Sequence, residues 1–304
     1  MSLAIELSAV VVTVKDQDAC VLCLNEGAAF ALPSGPFLPH NHRTFDLALR
    51  AFVREQTGFD IGYVEQLYSF GDDGRQGLVL DPASGDRAIS VGYLALTPTS
   101  DFKARIKATW VPFHRFFPWE DWRKSDINPA VEALRAPLET WCLRADGDER
   151  ALRQRRIETL FPLDFDHWNE ERVLDRYELL YDAGIIAESG HVGASLTGAP
   201  MASDHRRIAA TGLSRLRGKL KYRPVIFELM PERFTLLELQ KSLEALTGLS
   251  LHKQNFRRAL DRTGFVRPCG IMRVDTGGRP AELYSYDRDH FRFSPSLGLS
   301  LPRE

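Results

Sequence analysis

The sequence predicts an α+β chain in three parts: a strand-rich amino-terminal unit over 1–125, a helical connector over 126–203, and a carboxyl-terminal winged helix-turn-helix over 204–304. Three observations predict it. Apolar, β-branched runs separated by turn residues fill the first hundred positions. Helical spacing takes over from Pro129 to Ile186. Near the carboxyl end, two short helical segments joined by a turn of about four residues are followed by a hairpin pattern. The 304 residues exceed the comfortable size of one hydrophobic core. A composition of 44% hydrophobic and 26% charged residues excludes collagen, a wholly disordered chain and a small disulfide scaffold. No apolar run is long enough to cross a bilayer, and Glu6 interrupts a start that a signal peptide would keep basic and then apolar, so a cytoplasmic chain with no membrane partner is expected.

In order, Ala4 to Val14, Cys20 to Leu24 and Phe30 to Leu32 read as strands, the last closing on Pro33-Ser34-Gly35-Pro36. A helix follows, capped by Thr44 and stopped at Thr57-Gly58, with Leu47, Phe52 and Val53 toward a core. Val64 to Phe70 and Ala88 to Leu96 are further strands around a polar, glycine-rich loop. Between Trp110 and Trp122, six of thirteen residues are aromatic. With Glu120 and Asp121 among them, a packed seam or dimer surface is favoured over a platform for stacking bases. Trp168 to Asp182 reads as an amphipathic helix through Val173, Leu174, Tyr177 and Leu180, and Gly190 to Ser203 as the main linker.

Beyond the linker, Asp204 caps a helix to about Leu220, and Pro224 opens a short one over Val225 to Leu229. Thr235 caps Leu236 to Leu246 with a stop at Gly248, and Ser250 caps Leu251 to Thr263 with a stop at Gly264. Phe265 to Val274 and Ala281 to Tyr286 form the hairpin. Arg215 to His290 holds 15 Lys+Arg against 9 Asp+Glu, an excess of +6 in a chain of net charge −2. That third suits a polyanion. In the second helix, Phe256, Ala259 and Leu260 share one face, leaving Lys253, Gln254, Arg257 and Asp261 outward and Arg258 at the margin. Lys and Arg neutralise phosphate or donate to guanine, Gln254 and Asn255 suit adenine edges, and Ser250 stands near amides suited to a phosphate. Thr235 joins this set as the cap of the first helix, and Arg279 at the hairpin tip reaches an adjacent groove. The bland alternatives are a solvated basic face or a winged helix that binds protein.

Two small constellations carry less. Cys20 and Cys23 have redox or zinc spacing, but residues three apart in a strand face opposite ways and no second pair exists. No metal is expected there. His40 and His42, on a loop beside the capped helix, read as ordinary loop histidines, with help in holding a ligand phosphate as the lesser alternative.

The run Leu32-Pro33-Ser34-Gly35, with the helix ending Ala51-Phe52-Val53-Arg54-Glu55-Gln56-Thr57-Gly58-Phe59, resembles a damaged Nudix box. Aligned on Gly58, Ala51 stands where the box has Arg, Phe52 where it has Glu, and Gln56 at one of the paired glutamates. Only Glu55 is kept. The distance back to Gly35 is two residues too long. One carboxylate is a poor magnesium cage, so the usual hydrolysis is lost while nucleotide binding can persist. Leu67 to Asp72 and Asp86 to Tyr93 are similar to ADP-ribose-type Nudix proteins. Arg215 to Pro224, Phe227 to Thr235, Asn255 to Arg258 and Gly278 to Tyr284 resemble the winged-helix half of the Nudix-related transcriptional regulators of NAD metabolism (NrtR/NadQ-like). The insert from about Trp110 to Gly190 looks like the NadQ-type branch.

The resemblance implies a Nudix-like α/β/α sandwich and a homodimeric repressor of NAD biosynthesis or salvage genes. Its partners would be a palindromic double-stranded operator and a nucleotide effector such as ADP-ribose, NAD or ATP, with no required cofactor. Carried over to the pocket are Phe70 for a base, Arg87 for pyrophosphate, Asp72 and Ser90 for ribose hydroxyls, and Glu55 and Gln56 at the vestigial metal site. An ion pair of Arg87 with Asp86 or Asp72 is the competing reading. The rival function is an active pyrophosphatase of ADP-ribose or a related nucleotide with an appended winged helix.

Overall fold

A computed structural model describes residues 3–26, 29–71, 87–98, 108–162, 165–190, 197–274 and 280–288. The amino-terminal strands are β1 (Leu3–Lys15), β2 (Asp18–Glu26), β3 (Ala29–Ala31) and β4 (Ser34–Pro36). Helix α1 (Phe45–Thr57) follows, then β5 (Tyr63–Phe70), β6 (Arg87–Leu96) and β7 (Ala108–Pro112). They build one mixed sheet in the order β3-β2-β1-β6-β5, with β4 added to β1 and β7 to β2. The β1–β6 pair is parallel and runs from Leu3 opposite Arg87 to Val12 opposite Leu96.

Alternation along β1 decides what each face meets. Leu7, Ala9 and Val11 pack with Ala48, Leu49 and Val53 of α1. Val10 and Val12 belong to the larger core with Ile208, Ala209 and Leu213. Thr44 caps α1 by accepting from the Leu47 amide, and Gly58 ends it at φ +78. Leu47 departs from expectation. It is 52% exposed, because a position two residues from Leu49 lies about 200° around the helix from the buried stripe.

Helices α2 (Pro129–Leu143), α3 (Gly147–Leu160) and α4 (Val173–Asp182) form the connector. The expected helix from Trp168 starts five residues late. Asn169 accepts from the Glu171 amide through its side chain and from the Arg172 amide through its carbonyl, which holds that stretch as a turn. Phe113, Phe116, Phe117, Trp119 and Trp122 are all buried and Trp110 is half-buried, so the aromatic stretch is chiefly a packed seam.

The linker expected over Gly190 to Ser203 is tied down wherever it is described. The Ala199 amide donates to the Arg115 carbonyl, Met201 bridges Phe30, and Gly198, at φ +77, lies so close that a Cβ would sit 2.6 Å from the Arg115 oxygen. Residues 191–196 lie outside the described residues. Helix α5 (His205–Leu220), placed by sequence in the carboxyl-terminal unit, packs on the sheet. Gly212 faces Val10, where a Cβ would approach Cγ1 to 2.8 Å.

The winged helix comprises α6 (Leu236–Thr247), α7 (Lys253–Thr263), β8 (Val266–Arg273) and β9 (Ala281–Tyr286). An isolated antiparallel bridge between Phe234 and Tyr284 ties the segment before α6 to the hairpin. Thr235 and Glu238 form a reciprocal capping box on α6. Ser250 is not the cap of the next helix. Gln240 and Glu244 hold the Leu251 carbonyl and amide, and α7 begins at Lys253 after His252, which makes no side-chain cap.

Candidate functional site

Around the box, the two glutamate positions that changed have taken structural work. The Phe52 ring covers Gly35, where a Cβ would lie 2.9 Å from the ring. Gln56 accepts from the Ser34 amide through Oε1 at 3.1 Å and donates through Nε2 to the Ser34 carbonyl at 2.6 Å. Both ends of its amide clamp β4 to α1, so neither is turned to a ligand. Glu55 is exposed on α1. A site with one free carboxylate and a neutral, occupied amide does not fit a magnesium ion that must be held against pyrophosphate. His42 is spent locally as well, its Nδ1 accepting from the Leu38 amide at 3.0 Å and its ring packed edge-on against Phe52.

On the opposite sheet face, Phe70 is 4% exposed. It sits under the Arg207 guanidinium at 5.3 Å and beside Gly92, where a Cβ would be 3.3 Å from the Phe70 ring and 3.0 Å from Ile208. Stacking on a base is therefore closed to Phe70, because α5 already covers it. The exposed ring of this strand is Tyr68, 65% exposed and edge-on to Phe70 at 5.5 Å. Sequence reading missed it. The signal was the two-residue spacing that places both rings on one edge, with the register shift between Gln66 and Ser69 turning Tyr68 outward. Ser90 lies opposite Glu6 and its hydroxyl is 3.2 Å from that of Ser8, giving a polar patch on the buried face just beyond the α5 contact. Asp72 lies outside the described residues, and of Arg87 only the backbone, opposite Leu3, is described.

A few of the cations counted from sequence are consumed in α5 and just past its end. Lys219 pairs with Glu65, and Lys221 with Glu170 and Glu171. Burial alone would raise the Glu65 pKa, but hydrogen bonds from Lys219 and Tyr63 hold it below the ordinary range. Arg217 is ion-paired to Glu120 at 2.5 Å, and burial lowers its pKa against the opposing pull of Glu120. His205 is buried, its Nδ1 accepts from the Leu32 amide at 2.9 Å, and burial pushes its pKa down to about 4.

The cations of α7 behave differently. Phe256, Ala259, Leu260 and Thr263 are buried, while Lys253, Gln254, Arg257, Arg258, Asp261 and Arg262 are exposed and Asn255 is half-buried. Among the described residues, no carboxylate forms an ion pair with Lys253, Arg257 or Arg258, leaving a free basic face on the second helix of the motif. Two members of the expected contact set are engaged elsewhere. Thr235 is 5% exposed and bonded into its capping box, and Ser250 donates to the Arg123 carbonyl at 2.9 Å. Arg279 lies outside the described residues.

A cleft of about 1070 Å³ opens between the β1–β2 turn, the start of α2 and the helix-turn-helix. Ligand atoms of Asp18, His114 and Asp121 lie within 4.8 Å of one another at its edge. The Arg123 guanidinium already sits 2.7 Å from both carboxylates, which makes the group an ion-pair network. Cys20 and Cys23 are buried in β2, and burial pushes both thiols up to about 12, so neither offers a thiolate.

The fold and these surfaces define a Nudix-type α+β domain joined through helices to a carboxyl-terminal winged helix. Residues 226–286 match the family described as the NrtR DNA-binding winged helix domain. A segment of 103 residues, 34% of this chain, is 34% identical to an ADPR responsive transcriptional repressor, NtrR, of Acinetobacter baylyi, and spans 41% of that relative's length. The Shewanella oneidensis NrtR structure bound to a 27mer DNA superposes over 98% of this chain and 99% of its own, with a TM-score of 0.59 at 20% identity. A MutT/nudix family protein from Enterococcus faecalis matches with a TM-score of 0.54 at 15% identity, over 94% of this chain and 87% of its own. The chain thus shares the overall fold of the Shewanella structure, and its residues 226–286 match the NrtR winged helix family.

Proposed function

We propose that this protein is an ADP-ribose-responsive transcriptional repressor of NAD biosynthesis or salvage genes, acting in the cytoplasm as a homodimer on a palindromic operator. The observation that carries the reading is the exposed cationic face of α7 in a segment that matches a DNA-binding winged helix domain. Lys253, Arg257 and Arg258 neutralise phosphates or reach guanine, and Gln254 with Asn255 reads adjacent edges. A homodimer is required because one recognition helix reads only a few base pairs, whereas two related by a twofold give useful discrimination. ADP-ribose is the effector named for the Acinetobacter relative, and NAD or ATP are the competing ligands of the same chemistry.

The Nudix-like unit acts as a sensor without turnover. Gln56 and Phe52 occupy two box positions where the motif has glutamate, and each is engaged by other contacts. The effector is assigned to the strand ends that carry Ser90 and the outward ring of Tyr68, with Asp72 and Arg87 as its ribose and pyrophosphate partners. Effector and operator then oppose each other through differential affinity, with a coupling of ~1–3 kcal/mol.

The test is operator binding by the full chain, measured by fluorescence anisotropy across an ADP-ribose, NAD and ATP series. ADP-ribose alone is expected to shift the operator affinity. In parallel, ADP-ribose incubated with magnesium or manganese should remain intact. Rapid release of AMP would establish the pyrophosphatase instead, and an operator affinity insensitive to salt would remove direct phosphate contact.

A further inference from the structure

One buried carboxylate joins the three parts of the chain. Glu120, 3% exposed, lies in the short 3-10 turn Pro118–Glu120 between β7 and α2. From α4, Arg176 grips it with Nε to Oε1 at 2.6 Å and Nη2 to Oε2 at 2.9 Å. From α5, Arg217 donates Nη1 to Oε2 at 2.5 Å. The same guanidinium reaches the helix-turn-helix, its Nε donating to the Leu246 carbonyl in the last turn of α6 at 2.8 Å.

The turn between the two helices rests on the same segment. The Trp122 amide donates to the Gly248 carbonyl at 2.7 Å, and Ser250 donates to the Arg123 carbonyl. Gly248 has φ +75, and a Cβ there would stand 2.1 Å from the Glu120 carbonyl oxygen, so only glycine permits this approach. At the other end of α5, Arg207 lies over Phe70 and Ile208 against Gly92, beside the polar patch at Ser90. One helix therefore touches strands β5 and β6 of the sheet with its first turn and the end of α6 with its last.

A buried ion cluster of this kind adds little net stability over an apolar packing, but it is demanding in geometry, and removing its carboxylate leaves two guanidinium groups facing each other out of water. We propose that Glu120 is the positioning residue that couples effector occupancy to the helix-turn-helix: through Arg217 it fixes the end of α6 to α5, the element that packs on the sheet of the Nudix-like unit. This rests on the functional reading above. It adds to it the physical link between the two sites.

The test is calorimetric titration of the full chain with ADP-ribose, alone and with saturating operator. The wild-type ratio of affinities is expected to fall in the range of about 5–150-fold. Glu120→Gln keeps the size and the hydrogen-bonding oxygen and removes the charge. It should bring that ratio down at least threefold, with operator-free ADP-ribose affinity kept within twofold. An unchanged ratio in a folded variant overturns the proposal, because a merely structural role would lower stability and leave coupling alone. Should the variant fail to fold, hydrogen exchange on the wild-type chain decides: ADP-ribose must alter the protection of amides 246–250, and unaltered protection overturns the link. A wild-type chain that binds neither ADP-ribose nor operator fails the functional reading, and this proposal with it. Intact affinities with unchanged coupling fail this proposal alone.

Discussion

At residue scale, His205 illustrates how burial converts a surface residue type into a structural acceptor. Its imidazole must stay neutral to accept from the Leu32 amide. The folded chain holds its pKa near 4, below the ordinary 6.5, so the unfolded chain binds a proton first as pH falls. Stability from this group is complete above about pH 6.5 and is lost as pH drops toward 4, a difference of roughly 3 kcal/mol. Urea denaturation at pH 7.5, 5.5 and 4.5 should show that slope. His205→Asn, whose Oδ1 can replace Nδ1 as the acceptor, should flatten it. The box residues teach the same lesson. From sequence, Gln56 was a weakened metal ligand and Phe70 a base-stacking ring, since residue type and motif position say nothing about who else bonds to a group. The structure gives both amide ends of Gln56 to Ser34 and covers Phe70 with Arg207.

At the scale of elements, α5 and α7 are both rich in cations and do opposite things with them. The cations of α5 are matched by Glu65, Glu120, Glu178 and Glu188 from other elements, and Lys221 just past its end by Glu170 and Glu171, so this helix is a spine held by complementary charge. Those of α7 face solvent on a helix whose apolar stripe is buried. Replacing Lys253 and Arg257 with Ala together should weaken operator binding. It should also flatten the plot of log affinity against log salt by roughly 0.9 for each phosphate left without its cation, as read by anisotropy between 50 and 200 mM salt. For α5 the sensitive point is Gly212. An alanine there gains about 1 kcal/mol of helix propensity. It also drives a Cβ to 2.8 Å from Val10, which is fully buried in a central strand. Overpacking costs of ~1–3 kcal/mol win. Gly212→Ala should lower the urea midpoint at unchanged m-value, and an increase would show that the strand gives way.

At the scale of the molecule, the largest hydrophobic cluster runs from Val10 and Val21 through Trp119 and Leu216 to Leu243 and Phe265. Sensor sheet, connector and winged helix therefore share apolar contacts as well as the Glu120 cluster. Such a shared core should unfold as one unit. Differential scanning calorimetry is expected to give one transition whose van't Hoff and calorimetric enthalpies agree, and two resolved transitions would mean that the winged helix melts independently.

What the sequence determined by itself was local in cause. Apolar, β-branched runs bounded by turn residues marked the strands, Thr44 with Gly58 and Thr235 with Gly248 bounded two helices, and the stripe of Phe256, Ala259 and Leu260 set which face of α7 points out. Each of these depends on residues within a turn or two of one another. What only the tertiary structure decided was long-range: that α5 belongs on the sheet, that the stretch from Thr197 to Ser203 is pinned where described, that Thr235 and Ser250 are already bonded, and that Tyr68 rather than Phe70 is the open ring. The physical reason is that burial and polar pairing depend on partners up to 173 positions away, as between His205 and Leu32, and no local pattern names that partner.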